Sequence, residues 1–157
     1  MGPAFHGIHY QGSITEDGTI YFPIDLGGDR RDIFRSRLVN GLYQPRESLG
    51  QTVNSFYDDS GPFIAPDESY LIFSSNRPGG YGTKDLYVCY RRGDGSWTPP
   101  LNMGYLVNGG QFESWASVSP DGKYLFVIKS RDGGNTFWMD ARVIGFLKRR
   151  IVSAPEP

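Results

Sequence analysis

Residues 61–90, GPFIAPDESYLIFSSNRPGGYGTKDLYVCY, contain the pattern that decides the fold of this chain. A short apolar strand and a Pro-Asp turn are followed by an apolar run that ends in small polar residues. A glycine-rich connection then leads to an acidic residue and an aromatic strand. Short apolar runs bounded by turn residues are typical of β-strands. The stretch therefore predicts an antiparallel sheet.

The same pattern is found on both sides of this stretch, in residues 12–38 and 116–141. Further similarity connects the copies, because LGQTVN at residues 49–54 corresponds to MGYLVN at residues 103–108. A repeat of about 50 residues predicts a propeller or another repeat array.

Each copy contains two strands, one before and one after a turn. We expect short inner strands at residues 12–15, 62–65 and 116–119, and second strands at residues 19–22, 70–73 and 124–128. The second strands are apolar without alternation, which favours strands that are buried on both faces. They are the predicted core of the fold.

Turn residues separate the strands. Proline, aspartate and glycine in Pro120-Asp121-Gly122 each favour a tight turn. Asn40-Gly41 and Asp94-Gly95 predict hairpins that lead into fourth strands at residues 42–43 and 96–97. After Ala141 no such hairpin follows, and Val143, Ile144 and Leu147 fall on one side of a helical turn. We assign a structural turn role to four aspartates: Asp17, Asp67, Asp121 and Asp132.

These residues resemble the TolB-type propeller repeat, a WD-repeat-like unit marked by Ser-Pro-Asp-Gly. The sequence at 119–122 matches that motif fully, APDE at 65–68 lacks the glycine, and TEDG at 15–18 lacks the proline. The resemblance implies an all-β propeller segment of three four-stranded antiparallel blades, half of a six-bladed propeller with its last blade incomplete. It also implies the C-terminal half of a longer bacterial protein.

The domain boundaries follow from the repeat. Residues 1–11 are predicted to be a lead-in or a donated strand, and residues 149–157 a loose tail. Between them, residues 12–148 hold the blades, at about 12–54, 62–108 and 116–141. A chain of 157 residues suits one compact unit of this kind.

Composition argues against several function classes. A net charge of −1 without a basic stripe argues against binding of nucleic acid. No apolar run approaches the length of a membrane helix, so we expect no membrane insertion. His6 and His9 lack a third ligand nearby, and we predict neither a metal nor another cofactor.

Catalytic motifs do not occur in the sequence. Residues 130–137, SRDGGNTF, fit the Asp-box pattern of sialidase-like propellers, where the aspartate, here Asp132, braces a turn rather than taking part in catalysis. No Walker loop, nucleophile elbow or zinc motif is found. We therefore predict a protein that is not an enzyme. The alternative is the propeller portion of a hydrolase, either a sialidase-like glycosidase or the filter domain of a peptidase.

Three ionisable residues share one position relative to the inner strands. His9, Asp59 and Glu113 each stand three residues ahead of a predicted inner strand. Either they are solvated loop ends, or they form a polar channel mouth in which nearby Tyr57, Phe112 and Trp115 supply stacking surface and which attracts a cationic or hydroxyl-rich partner. We take the channel mouth as the binding-site hypothesis.

The predicted function is a non-catalytic binding or scaffold module for a protein or glycan. The resemblance implies a periplasmic or cell-envelope location. Three blades are too few to close a propeller, so an end face must be exposed or covered. We expect that a second copy of the chain covers this face in a homodimer that closes a six-bladed ring, or else that the remainder of a longer chain covers it.

Overall fold

The computed structural model describes residues 12–109, 112–130 and 134–152. Within these ranges the repeats form three successive antiparallel sheets, called here blades 1, 2 and 3, and one helix follows them. Blade 3 has three strands where blades 1 and 2 have four. The prediction of an all-β chain with an incomplete last blade is therefore confirmed.

The strands of the first two blades are as follows. Blade 1 and its hairpin contain β1 (Ser13–Ile14), β2 (Ile20–Gly27), β3 (Arg30–Ser36), β4 (Leu38–Val39), β5 (Leu42–Tyr43) and β6 (Glu47–Ser48). Blade 2 contains β7 (Asp59–Ile64), β8 (Tyr70–Ser75), β9 (Asp85–Tyr90) and β10 (Leu101–Asn102). The strand orders are β1-β2-β3-β6 and β7-β8-β9-β10.

The predicted positions of the fourth strands are wrong. The Asn40-Gly41 turn folds β5 back onto β4, and these two strands form a separate hairpin. The edge of blade 1 is completed only afterwards by β6, which pairs with β3. In blade 2, Trp97 makes one isolated bridge with Arg91, and β10 is the edge strand. A tight hairpin pairs with itself first, so the chain returns to the sheet several residues later.

Blade 3 contains β11 (Phe112–Val118), β12 (Tyr124–Ser130) and β13 (Asn135–Asp140). The inner strands β7 and β11 both begin several residues before their predicted starts. Each contains a β-bulge, and the pairing with the second strand continues on both sides of the bulge. The residues in the two bulges, Gly61 and Trp115, are 54 positions apart and occupy corresponding places in the repeat. Asp59 and Glu113 consequently lie within strands rather than in loops.

The core lies between the blades. Alternate residues of β8 and β9 point to opposite faces of blade 2. Leu71, Phe73 and Tyr87 pack against Tyr21 and Ile33 of blade 1. The intervening residues Ile72, Leu86 and Val88 pack against Leu125 and Val127 of blade 3. This arrangement explains why the second strands have no polar face.

The chain continues from β13 into helix α1 (Arg142–Val152), which extends into residues 149–152 that were predicted to be a loose tail. Of the residues predicted to share one helical side, Ile144 and Leu147 join the core between blades 2 and 3, and the half-buried Val143 packs against it. Ala141, just before the helix, is buried there as well. Tyr90 donates a hydrogen bond from Oη to the Ile144 carbonyl at 2.6 Å. The apolar side of the helix is therefore part of the blade 2 core, and this packing stabilises residues at the helix end.

The repeated LGQTVN and MGYLVN segments have the same structural role in blades 1 and 2. Asn54 accepts a hydrogen bond from the Ile33 backbone N–H at 2.7 Å and donates one to the Ile33 carbonyl at 3.0 Å. Asn108 makes the corresponding two bonds to Leu86, at 2.9 and 3.0 Å. Each loop is thereby fixed to the third strand of its own blade before the chain enters the next blade.

Candidate functional site

Asp59, one of the predicted mouth residues, is fully buried and braces a loop. One carboxylate oxygen accepts hydrogen bonds from the Ser55 backbone N–H at 2.6 Å and from its hydroxyl at 2.7 Å. The other oxygen accepts from the Arg77 guanidinium at 2.7 Å. Arg77 in turn lies over the rings of Phe73 and Tyr87, at 5.2 and 4.9 Å from their centroids. These contacts hold the entry to blade 2 together.

Glu113 occupies the corresponding position in blade 3 and is also fully buried. Its Oε1 accepts a hydrogen bond from the Gly109 backbone N–H at 3.0 Å, whereas Oε2 has no partner in the described part of the chain. Burial raises the pKa of Glu113, and the nearby Asp85 carboxylate adds to that rise. Neither Asp59 nor Glu113 is therefore a solvated loop end.

The polar group at the inner strands is formed by Asp58, Arg31 and Lys84. Arg31 donates from Nε and Nη2 to the two Asp58 oxygens at 2.7 and 2.6 Å, a bidentate pair. Lys84 Nζ donates to Asp58 at 2.5 Å and to the Ser60 hydroxyl at 2.6 Å. Two cations thus face one carboxylate, and the cluster has a net positive charge.

Burial and pairing act in opposite directions on these groups. Burial raises the pKa of Asp58, but hydrogen bonds from Arg31 and Lys84 outweigh it, and the resulting pKa is below the usual value. Burial lowers the pKa of Lys84, and the Asp58 carboxylate offsets part of that shift. The cluster is a paired ionic site with spare cationic hydrogen-bond donors.

A cavity of about 370 Å³, called here the inner cavity, opens beside this cluster. Residues from all three blades line it: Arg31, Ser60, Gly61, Ser74, Lys84, Phe112, Ser114, Trp115 and Ile128. Phe112 and Trp115 are both 40% exposed, so their rings are accessible to a ligand. A second cavity of about 550 Å³ adjoins it at Trp115 and Ile128 and runs along the inner strands of the three blades.

Trp115 reaches this cavity through an unusual backbone conformation. Its φ is +50°, in the left-handed region that a bulky residue rarely adopts. The corresponding bulge residue in blade 2 is Gly61, with φ +58°, and a side chain there would meet the Trp115 indole at 2.7 Å. Backbone strain of this kind is concentrated at functional sites. The bulge places an aromatic ring where the three inner strands meet.

The remaining predicted site residues are distributed over other parts of the chain. Tyr57 lines a different cavity, beside Arg30 and Asp32 of blade 1. His9 lies outside the described residues, as does Asp132. The other turn aspartates, Asp17, Asp67 and Asp121, each accept a hydrogen bond from the backbone N–H two residues later, at 3.0, 3.0 and 3.1 Å.

Sequence reasoning missed Arg31, Asp58 and Lys84. Asp58 could not be found by shared register, because it corresponds to Phe112 in the next copy. Arg31 and Lys84 do share a register, since each directly precedes the aspartate of a third strand, and the search did not use that repeated charge. A charged residue at a position that is apolar in the neighbouring repeat was the available signal. Within the described ranges, no group of three His, Cys, Asp or Glu side chains could hold a metal ion.

Comparison with known proteins supports the fold. No family model matches the sequence, and no curated protein matches it either. The crystal structure of TolB from Acinetobacter baumannii matches with a TM-score of 0.56 and 20% identity. The match covers 88% of this chain and 31% of that protein. This chain is therefore a TolB-like propeller segment in fold, and it spans about a third of the TolB chain.

Proposed function

We propose that the chain is a non-catalytic propeller segment that binds an anionic, hydroxyl-rich group of a protein or glycan partner in the inner cavity. The observation that carries this proposal is the lining of the cavity. Lys84 and Arg31 supply positive charge, serine hydroxyls supply donors and acceptors, and two accessible aromatic rings flank them. The net positive charge favours an anionic group over a cationic one.

The bacterial cell envelope is the proposed setting. Support comes from the fold that the chain shares with TolB. Among the described residues, no helix is long and apolar enough to cross a membrane.

Binding without catalysis is favoured by the ionic pairing of Lys84. The Ser60 hydroxyl lies 2.6 Å from Lys84 Nζ, the arrangement of a nucleophile and a base. Burial lowers the pKa of Lys84, but Asp58 accepts a hydrogen bond from the same Nζ at 2.5 Å and opposes that shift, so the pairing favours the protonated amine. A protonated amine cannot accept the serine proton. We expect no labelling of Ser60 by a fluorophosphonate probe, and labelling would support the hydrolase alternative.

Calorimetric titration with an oligoglutamate peptide and with a uronic acid oligosaccharide tests the binding proposal. Lys84→Met removes one cation while Arg31 still pairs with Asp58, so the fold is retained. A lost charge-assisted hydrogen bond is worth about 1.5–3 kcal/mol, which predicts at least roughly tenfold weaker binding of whichever ligand binds. Lys123→Met, at an exposed turn far along the sequence, is the matched control. Equal affinity of the Lys84 variant and the native chain would refute the proposal.

The outer face of blade 3 is the proposed contact surface for a second copy of the chain or for the remainder of a longer one. Trp138 is 67% exposed and Tyr124 is 42% exposed on this face. At the other end of the segment, Phe22 and Ile24 of blade 1 are only 1% and 5% exposed. A ring of two copies would need both end faces to be open. This difference favours contact through blade 3 alone.

A further inference from the structure

A third cavity, of about 530 Å³, lies at the edge of blade 1 and is called here the rim cavity. Its lining includes Arg30, Asp32, Ser48, Gln51, Phe56 and Tyr57. Phe56 is 86% exposed and Tyr57 is 44% exposed, so two aromatic rings border a polar hollow. The hollow is separate in its lining residues from the inner cavity.

The corresponding place in blade 2 is filled by the chain itself. Asp85 is the first residue of β9, and Asp32 holds the corresponding position in β3, because each directly precedes the residue that an asparagine binds. Asp85 is almost fully buried. Its carboxylate accepts hydrogen bonds from the backbone N–H groups of Tyr81 at 2.7 Å and Gly82 at 3.0 Å. Asn102 donates a third bond at 2.7 Å. The glycine-rich loop between β8 and β9 therefore donates two of the three hydrogen bonds that this carboxylate accepts.

Blade 1 has the same aspartate but not the loop. Only Gly28 and Asp29 connect β2 to β3. Ser48 stands where blade 2 has Asn102, and no hydrogen bond joins it to Asp32 among the contacts of the described residues. From the described part of the chain, the Asp32 side chain receives only two long hydrogen bonds, both from Arg30, at 3.3 and 3.4 Å. Its carboxylate consequently has acceptor capacity that its counterpart in blade 2 has used.

The residues around the two aspartates also correspond. Gln51 lines the rim cavity, and its counterpart 54 positions later, Tyr105, contacts the ring of Tyr81 in the loop at 5.8 Å between centroids. A position that contacts the loop in blade 2 therefore lines an open cavity in blade 1.

We propose that the rim cavity binds a glycine-rich loop of a partner protein, whose consecutive backbone N–H groups donate to Asp32 as those of Tyr81 and Gly82 donate to Asp85. Hydrogen bonds to a carboxylate are stronger than those between neutral groups, so they supply much of the affinity. Phe56 and Tyr57 contact the side chain between the glycines.

The geometry of blade 2 also defines the sequence that fits. A side chain at Gly80 would place its Cβ 2.3 Å from an Asp85 oxygen, so glycine is required one residue before the aromatic residue. The expected ligand motif is therefore glycine, an aromatic residue, then a second residue that can donate its N–H. A peptide is favoured over a glycan because the chain already places a peptide loop in the equivalent site.

The test uses the blocked peptide acetyl-Gly-Gly-Tyr-Gly-Thr-amide, which has the sequence of residues 79–83. Titration is followed by NMR chemical shifts on the full chain. We expect saturable shifts at Phe56 and Tyr57, with affinity reduced about tenfold by Asp32→Asn, because a charge-assisted bond becomes a neutral one. The same peptide with alanine as its second residue is expected to bind at least about tenfold more weakly, because that Cβ has no room.

Three further variants make the result interpretable, two of them as controls and one as a second test of the site. Asp29→Asn changes an exposed carboxylate in the same hairpin, at a φ of 58° that asparagine tolerates, and it is expected to leave the affinity unchanged. Phe56→Ala removes a side chain that is 86% exposed, so it weakens binding without unfolding the chain. Lys84→Met is expected to leave peptide binding intact, which separates this site from the inner cavity.

Peptide binding that Asp32→Asn and Phe56→Ala both leave unchanged would overturn the proposal. An absence of saturable shifts would do the same. So would shifts at the rim cavity produced by chito-oligosaccharides and not by the peptide, because the site would then recognise a glycan.

Discussion

Blades 2 and 3 have the same apolar sequence pattern, yet a matched apolar pair is buried in blade 2 and has an exposed member in blade 3. Ile72 and its cross-strand neighbour Val88 are 0% exposed in blade 2. The corresponding pair in blade 3 is Phe126 and Trp138, and Trp138 is 67% exposed. The difference arises because blade 3 packs against the first pair, while no further sheet among the described residues packs against the second. An apolar pattern defines a face that can be buried, and the neighbouring element determines whether it is.

Two other corresponding positions show the same asymmetry. Asp59 of blade 2 has partners for both carboxylate oxygens, whereas Glu113 of blade 3 has one buried oxygen without a partner in the described residues. The bulge is a glycine at position 61 and a strained tryptophan at position 115. Blade 2 is thus the stable centre of the segment. Blade 3 holds the strained Trp115 backbone and the exposed aromatic surface.

The largest expected effect is on the buried carboxylates. Asp59→Asn leaves Arg77 without its counter-charge and weakens the brace to Ser55, and we expect it to lower the free energy of unfolding by about 3 kcal/mol or more. Glu113→Gln breaks no ion pair and is expected to change stability by less than about 1 kcal/mol. Urea denaturation measures both. Equal losses in the two variants would contradict the distinction between the blades.

The next effect concerns the matched apolar pair. Ile72→Ala creates a cavity between two blades and is expected to cost about 2–5 kcal/mol. Phe126→Ala removes a larger but only half-buried side chain, and we expect a cost of less than about 2 kcal/mol because less burial is lost and no enclosed cavity is left. Denaturation of dilute samples gives the comparison. A larger loss for Phe126→Ala would show that its face is covered in solution.

Association is the third way to test the comparison. Sedimentation at increasing concentration is expected to show self-association of the native chain, because exposed aromatic patches favour contact. Trp138→Ser is expected to reduce it several-fold without lowering the melting temperature. Leu42→Ser, a control at a 70% exposed residue of the blade 1 hairpin, is expected to leave it unchanged. A native chain that stays monomeric throughout would disprove contact through blade 3.

The smallest effect is the pH dependence that Glu113 contributes. Its pKa is raised in the folded state, so the folded chain binds this proton more tightly than the unfolded chain does. Its contribution to stability is present below the unfolded pKa and is lost as the pH rises through the folded pKa. We therefore expect Glu113→Gln to gain stability relative to the native chain as the pH rises from the unfolded pKa, about 4.3, to the raised folded pKa. A constant difference across that range would contradict the assignment.

The sequence alone was sufficient for the repeat, the three blades and the incomplete last blade. It was sufficient because strand runs and turn residues such as Pro120-Asp121-Gly122 act locally. It also predicted Phe112 and Trp115 as binding residues, and both line the inner cavity, but their role in binding stays a prediction. It did not locate the edge strands, because a hairpin such as that at Asn40-Gly41 pairs with itself before the chain returns to the sheet.

Only the tertiary structure determined which side chains line the inner cavity. Asp58 and Asp59 are neighbours in sequence, yet one joins Arg31 and Lys84 beside the inner cavity and the other braces a buried loop. Their charged partners Arg31, Arg77 and Lys84 are 18 to 27 residues away in the chain, and the packing of the blades brings them together. The burial of Glu113 and the open acceptor at Asp32 likewise depend on which loop fills the adjacent space. Local propensity carries no information about that space, because it is defined by elements distant in sequence.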